Sequence, residues 1–194
     1  MSTRTHGRKR HRGRLTPRGK ALRRATRTRG ITEQPAGSNS DYRRDGIRAW
    51  QIRCARGGRY LIGAPWCGVR CHDLLRAAGV RNIGPYLASV WMIQQYAKRH
   101  RGCFRGWTTD YSQVFRGDLV TLFGGKHVEM VRKVVRKRVW RKGFRRVGRV
   151  LYVRTEGGNT SSGPGGNQSN GGGCFARKRY PREIDGFALV NYPG

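Results

Sequence analysis

The chain has 194 residues, enough for one domain with a core of ordinary size plus a tail. Its formal net charge of +32 comes from 42 lysine and arginine residues against 10 aspartate and glutamate residues. A surface so basic predicts association with polyanions such as nucleic acid, anionic wall polymers or anionic lipid. The apolar runs are too short for a transmembrane segment, and none follows the basic N-terminus as in a secretory signal.

The five cysteines have no regular spacing, which argues against a disulfide framework and leaves at least one thiol free. Cys67 and Cys71 are four residues apart, and the chain contains no Cys-x-x-Cys pair. This spacing fits no common zinc site. We therefore expect neither a metal nor a cofactor.

The N-terminal residues 1–30 are mostly arginine and lysine, with very few apolar side chains. Such a segment cannot bury enough surface to offset its ordering entropy, so we expect a disordered basic tail followed by one domain over residues 31–194. Leu22 and Ala25 would support a short helix once a polyanion is bound. Arg23 and Arg24 are candidate polyanion-binding residues in this tail.

The first half of the domain has helical periodicity. Apolar positions predict helices over residues 42–56, 67–79 and 85–102. In the last of these, Trp91 belongs to a stripe that is expected to face the core.

The second half has the periodicity of strands. We expect strands at 117–123, 127–131, 150–155, 174–177 and 186–190, a basic hairpin over 132–146 that turns near Gly143, and a flexible Gly/Ser/Asn-rich loop at 157–173. Helices followed by an antiparallel sheet predict an α+β domain. The hairpin adds further candidate polyanion-binding residues: Arg136, Lys137, Arg138, Arg141, Lys142, Arg145 and Arg146.

Cys67 is the candidate nucleophile. Gly63 and Pro65 indicate a turn, and the helical pattern begins directly after it. Unpaired N–H groups and the positive end of the helix dipole favour a thiolate in the first helical turn. The alternative is a buried, inert cysteine that packs under Trp66.

His127 is the candidate base, because it alone of the five histidines lies within the predicted sheet. A thiol nucleophile needs such a base and a third group that orients it. Glu156 and Asn159 follow a neighbouring strand and could reach the imidazole. Glu129 lies on the same face of its strand as His127, so it competes as the orienting group or serves as an ion-pair partner.

The order of five segments resembles the CHAP domain family of cysteine- and histidine-dependent amidohydrolases and peptidases, over roughly residues 31–180. These segments are Gly37-Ser38-Asn39, Pro65-Trp66-Cys67, Gly117-Asp118-Leu119-Val120, His127-Val128 and Glu156-Gly157-Gly158-Asn159-Thr160-Ser161. The resemblance implies a papain-like fold in which N-terminal helices pack on an antiparallel sheet.

The resemblance also implies roles for individual residues. Cys67 would be the nucleophile and supply one oxyanion donor through its backbone N–H, and His127 would act as base and then as acid. Glu156 or Asn159 would orient the imidazole, while Asn39 and Trp66 would line or support the substrate and oxyanion pocket.

The chain departs from the family pattern at two places. The usual Glu-Gly-Asn segment holds an extra glycine here, Gly157-Gly158, which leaves the choice between Glu156 and Asn159 open. The usually small residue two positions after the histidine is Glu129, which would raise the pKa of the imidazole or fill part of the substrate groove.

The expected function is hydrolysis of an amide in peptidoglycan, either as an N-acetylmuramoyl-L-alanine amidase or as a peptide-crosslink endopeptidase. Phage endolysins and virion-associated lysins are frequent members of the family. The resemblance thus implies a phage product, made in the host cytoplasm, that reaches the wall through a separate holin pore or within the virion. Peptidoglycan and anionic wall polymers are the expected partners, with non-specific nucleic acid bound by the tail. The alternative is a basic nucleic-acid- or virion-associated binding protein on a catalytically weak CHAP scaffold.

Overall fold

The computed structural model describes residues 15–141, 144–160 and 171–194, with side chains outside 138–147. Within these ranges the chain forms four α-helices, which are α1 (Pro17–Arg27), α2 (Ile47–Cys54), α3 (Cys67–Ala77) and α4 (Val90–Lys98). The strands are β1 (Phe104–Thr108), β2 (Leu119–Leu122), β3 (His127–Arg141), β4 (Phe144–Thr160), β5 (Gly173–Arg179) and β6 (Ile184–Val190). None of these helices has the length and apolar character needed to cross a bilayer.

The strands form one six-stranded sheet in the order β1-β6-β2-β3-β4-β5, and every neighbouring pair is antiparallel. Helices α1, α3 and α4 share their main apolar cluster with residues of β2, β3 and β6. A second cluster is formed by other residues of the same sheet together with Val114, and a third joins α2 to the start of α3 through Trp50 and Trp66. Helices packed on an antiparallel sheet confirm the α+β prediction.

The N-terminal segment differs from the prediction. Disorder over residues 1–30 is wrong for α1, because Ala21 and Ala25 are buried in the main cluster beside α3. The Thr16 hydroxyl caps the helix by accepting a hydrogen bond from the Gly19 N–H at 3.2 Å. Small side chains provide this contact, so the helix lacks the strong apolar stripe that sequence patterns detect. Residues 1–14 lie outside the described ranges.

Helix α2 is shorter than predicted. It begins at Ile47 because the chain before it folds back, and Asp41 Oδ1 accepts a hydrogen bond from the Arg48 N–H at 3.2 Å. Gly46 permits this approach, since a Cβ there would lie 2.0 Å from Asp41 Oδ2. The predicted start at residue 42 is therefore wrong.

The predicted 85–102 helix divides into a 3₁₀ turn at Pro85–Ala88 and α4, whose N-cap is Ser89. Val90, Ile93 and Ala97 are buried and define the inner face of α4. Trp91 lies one residue away from that face and is 62% exposed, so the prediction that it packs in the core is wrong.

The strand predictions largely agree with the sheet, with one addition and one correction. β1 was not predicted, and residues 157–160 and Gly173 belong to strands rather than to a loop. Arg141 pairs with Phe144, which confirms the basic hairpin, while its turn at Gly143 and the residues 161–170 lie outside the described ranges.

Candidate active site

The first residue of α3 and the first residue of β3 meet at the site. Cys67 opens the helix, as the sequence predicts, and His127 opens the strand. Gly68 lets the helix start pack tightly, because a Cβ there would lie 2.0 Å from the carbonyl oxygen of Leu87. Cys67 is buried in the main cluster, with 6% of its surface exposed.

The environment of Cys67 favours the thiolate. Burial raises the pKa of this thiol, but hydrogen bonding and charge attraction from His127, together with the N–H groups of Val128 and Gly68, lower it below 9.0 overall. Burial raises the pKa of the four other cysteines, Cys54, Cys71, Cys103 and Cys174. Cys67 is thus the cysteine whose surroundings suit a nucleophile.

His127 is positioned to carry the matching positive charge. Its Nε2 atom lies 3.1 Å from Glu129 Oε1, and its buried Nδ1 atom has no aligned hydrogen-bond partner among the described residues. Burial lowers the pKa of the imidazole, but Cys67 and Glu129 outweigh it and raise the pKa to about 9. Each group thus favours the charged form of the other, the thiolate of Cys67 and the imidazolium of His127.

Glu129 is fully buried and held from two sides. Arg179 donates to it through Nε, 2.9 Å from Oε2, and also through Nη2 to Oε1, while the Thr155 hydroxyl donates to Oε2. Burial raises the pKa of this carboxyl, but bonds from Arg179 and His127 lower it far below its usual range. The carboxylate stays charged and fixed behind the imidazole.

The prediction that Glu156 orients the imidazole is wrong. Its carboxylate accepts hydrogen bonds from Arg29 Nε at 3.0 Å and from Arg132 Nη1 at 2.6 Å. Met130, on β3, pairs with Glu156 in the sheet, whereas Glu129 pairs with Gly157. Successive side chains of a strand point to opposite faces, so Glu156 lies on the other face from Glu129.

The Asn159 side chain lies beside Asn39, which the sequence assigns to the substrate and oxyanion pocket. Its Nδ2 atom donates to Asn39 Oδ1 at 3.3 Å, and both residues have positive φ angles, 54° and 53°. This amide pair joins β4 to the segment before α2. Asn39 is therefore close to Asn159, whereas His127 is hydrogen bonded to the carboxylate of Glu129.

Trp66 supports the start of α3 rather than lining a groove. It is fully buried, and its indole N–H donates to Glu33 Oε1 at 2.8 Å. Glu129, which the sequence places in the substrate groove as one option, is equally buried. Both residues act behind the nucleophile and the base.

The adjacent residues Gly157 and Gly158 of β4 are each required to be glycine for a different steric reason. A Cβ at Gly157 would lie 2.5 Å from Glu129 Oε1, and one at Gly158 would lie 2.7 Å from Arg70 and Trp66 side-chain atoms. Gly157 therefore leaves room for the orienting carboxylate, and Gly158 lets β4 approach α3.

The candidate polyanion-binding residues divide by their surroundings. Arg24 bonds to Asp45 and Asp73 within the fold, so its charge is already paired, whereas Arg23 is exposed. Lys137 is exposed and Arg136 is half-buried. Lys142 lies outside the described residues, as do the side chains of Arg138, Arg141, Arg145 and Arg146.

Sequence reasoning did not find Arg179 or Thr155, the two residues that hold Glu129. Arg179 is one of many arginines, and its role depends on strand pairing that the sequence does not display. In the described ranges, no group of three or more His, Cys, Asp or Glu side chains is arranged to hold a metal ion. Comparison of the chain with protein-family models, curated proteins and solved structures found no match in any of the three.

Proposed function

We propose that the protein is a cysteine-dependent amidohydrolase or endopeptidase of the CHAP type that cleaves an amide bond of bacterial peptidoglycan. The observation that carries this proposal is the Cys67 thiol, whose pKa is lowered despite burial, beside an imidazole that is hydrogen bonded to Glu129. The nucleophile interacts with the base, and the base interacts with the orienting group, which is the arrangement that thiol acyl transfer requires.

The chemistry follows from the ion pair. The Cys67 thiolate attacks the amide carbon, and the backbone N–H of Cys67 donates to the oxygen that gains charge. His127 gives its proton to the departing amine as the C–N bond breaks, leaving a thioester on Cys67. His127 then takes a proton from water, which attacks the thioester, releases the carboxylate product and restores the thiolate.

The choice of peptidoglycan is supported by the five-segment resemblance to CHAP domains and by the charge of +32. Bacterial walls carry phosphate- and carboxylate-bearing polymers, which would retain a basic enzyme at its substrate. The same resemblance supports a phage origin, with action at the wall through a holin or from the virion.

A nucleic-acid- or virion-associated binding protein is the second candidate. It is favoured by exposed cations in two elements, Arg23 on α1 and Lys137 on the hairpin. The hydrolase is favoured over it because simple binding to a polyanion does not require a paired thiolate and imidazolium.

The test is digestion of purified peptidoglycan under reducing conditions, with released fragments identified by mass spectrometry. Wild type should release products and Cys67→Ala should not, while Cys54→Ala is the matched control because its buried thiol has a pKa raised to about 12. New amine and carboxylate ends would identify the bond that is cut. If the wild-type protein, with its thiol shown to be reduced, releases no fragments from several types of wall, the hydrolase proposal is contradicted.

A further inference from the structure

A basic cavity lies on the sheet just after the end of α1, and it shares the residue Thr155 with the surroundings of Glu129. It has a volume of about 320 Å³ and is lined by Arg29, Arg132, Arg154, Thr155, Ala176 and Arg177. The wall thus combines residues from the end of α1 and from three neighbouring strands. Four of its lining residues are arginines.

Glu156 holds two of these arginines in place. Its buried carboxylate accepts from Arg29 Nε and Nη2 and from Arg132 Nη1, which is also 3.2 Å from the Thr26 hydroxyl. A guanidinium has five N–H donors, so each arginine keeps donors beyond those used here. The carboxylate therefore orients the two forks without using up their capacity to bind an anion.

The cavity has an excess of positive charge. Arg154 is exposed, and no carboxylate among the described residues is recorded as its ion-pair partner. Arg29 and Arg132 thus share the carboxylate of Glu156, and Arg154 adds a further guanidinium to the cavity wall. Burial, and then the neighbouring charge of Arg179, lower the pKa of Arg177, which lines the same cavity.

A second cavity shares the lining residue Arg132 with the first. Arg132 also lines a space of about 790 Å³, together with Arg116, Lys133 and Arg136. An extended polyanion could therefore place successive charges in the two cavities. A single small anion would need only one of them.

The aromatic rings of the second cavity are already in contact with protein groups. The guanidinium groups of Arg18 and Arg105 lie 5.5 and 5.9 Å from the centre of the Phe115 ring. Tyr111 packs edge-on against Phe187, with ring centres 5.1 Å apart. Binding of single-stranded nucleic acid uses open aromatic faces on which bases stack. Phe115 is 55% exposed and offers one such face, whereas successive bases need several rings, so a flexible polymer without bases fits the two cavities better.

We propose that the cavity formed by Arg29, Arg132 and Arg154 binds a phosphate group of a polyol-phosphate polymer of the bacterial wall. The choice of a wall polymer rests on the proposed hydrolase function, whereas the phosphate site itself does not. Bidentate guanidinium–phosphate bonds provide the recognition, because the planar fork matches two phosphate oxygens. Glu156 then serves this second site rather than the imidazole.

The test measures binding of a poly(glycerol phosphate) oligomer by calorimetry, in a Cys67→Ala background so that no substrate is turned over. Arg154→Ala should weaken binding about tenfold, because a hydrogen-bonded charge pair is lost. Arg149→Ala is the matched control, since Arg149 is exposed on the same strand and does not line the cavity. It should change binding less than about twofold, as expected for a distant surface charge. Arg154→Lys should fall between them, because it keeps the charge and loses the fork.

Equal losses in Arg154→Ala and Arg149→Ala would overturn the site, since only total charge would then matter. A single-stranded oligonucleotide of equal charge that binds more tightly, with the same dependence on Arg154, would overturn the polymer assignment in favour of nucleic acid. Unfolding temperatures of all variants are compared with that of the parent, so that a folding defect is recognised. If the oligomer binds but wild type cleaves no wall, the proposed hydrolase fails while the phosphate site stands.

Discussion

Glu129 Oε1 lies 3.1 Å from His127 Nε2, so the group that orients the imidazole comes from the same strand, two residues further along. Residues i and i+2 of a strand share one face, which makes this contact local. The remaining support is distant in sequence, because Arg179 on β5 and Thr155 on β4 hold the carboxylate.

Replacing Glu129 should move the alkaline limit of activity. The raised pKa of His127 keeps the imidazolium until the pH passes about 9, and Glu129 is one of its two supports. Glu129→Gln should shift that limit down by about one pH unit, towards the ordinary value of 6.5. The rate of Cys67 alkylation by iodoacetamide, measured across pH, gives this limit. Glu156→Gln is the control, and an equal shift in that variant would contradict the assignment.

Replacing Arg179 should affect the acid limit and the stability together. Arg179 lowers the pKa of Glu129, so the charged carboxylate stabilises the fold above its ordinary value of 4.5 and loses that effect as the pH falls. Arg179→Gln leaves a buried carboxylate without its cation and should cost about 3–5 kcal/mol of unfolding free energy at neutral pH. Its acid limit of activity should move to higher pH. Arg179→Lys should restore part of both, and an unchanged acid limit in Arg179→Gln would show a structural role alone.

Adding one methyl group at Gly157 should disturb the base without touching it. The new Cβ would lie 2.5 Å from Glu129 Oε1, so the carboxylate must move away from His127. Gly157→Ala should therefore lower the rate constant kcat and shift the alkaline limit as Glu129→Gln does. Gly158→Ala is the comparison, because its Cβ meets Arg70 and Trp66 and should lower the unfolding temperature without that shift. Identical pH profiles for wild type and Gly157→Ala would refute the steric argument.

Asp73 should be a main determinant of stability near α3. It is buried and accepts from Arg24, Arg53 and Arg70, with Arg24 Nε at 2.8 Å. Asp73→Asn should cost about 3–5 kcal/mol, because the arginines lose their buried counter-charge. Asp45→Asn should cost less, since the Asp45 side chain is 53% exposed and water screens its pairs with Arg24 and Arg53. Urea unfolding of both variants measures the difference, and equal costs would count against the buried network.

The sequence predicts elements whose signals are local. Turn residues and apolar spacing locate the start of α3, and alternation of apolar residues locates β2 and the start of β3. β1 also alternates, with Phe104 and Thr108 buried and Arg105 exposed, but its five residues follow a helix closely and include a glycine. Such a short segment has too few positions for its period to be recognised.

What the sequence could not provide depends on contacts between distant segments. The burial of α1 requires the surface of α3 and the carboxylate of Asp73, 49 residues after Arg24. The choice among Glu129, Glu156 and Asn159 depends on the register in which β4 pairs with β3. The two adjacent glycines do not reveal that register. Cys67 and His127 could be predicted from the sequence because a helix start and a single histidine within a strand are both local features.

The docking of α1 limits how the chain can be divided. A fragment that begins at Ile31 would lack Ala21 and Ala25, so the apolar surface of α3 that they cover would be exposed to water. It would also lack Arg29, which binds a carboxylate 127 positions away. Residues 17–29 are therefore part of the folded domain. A chimera that replaces the start of the chain should retain Pro17–Arg27 and Arg29, with the junction placed before the helix.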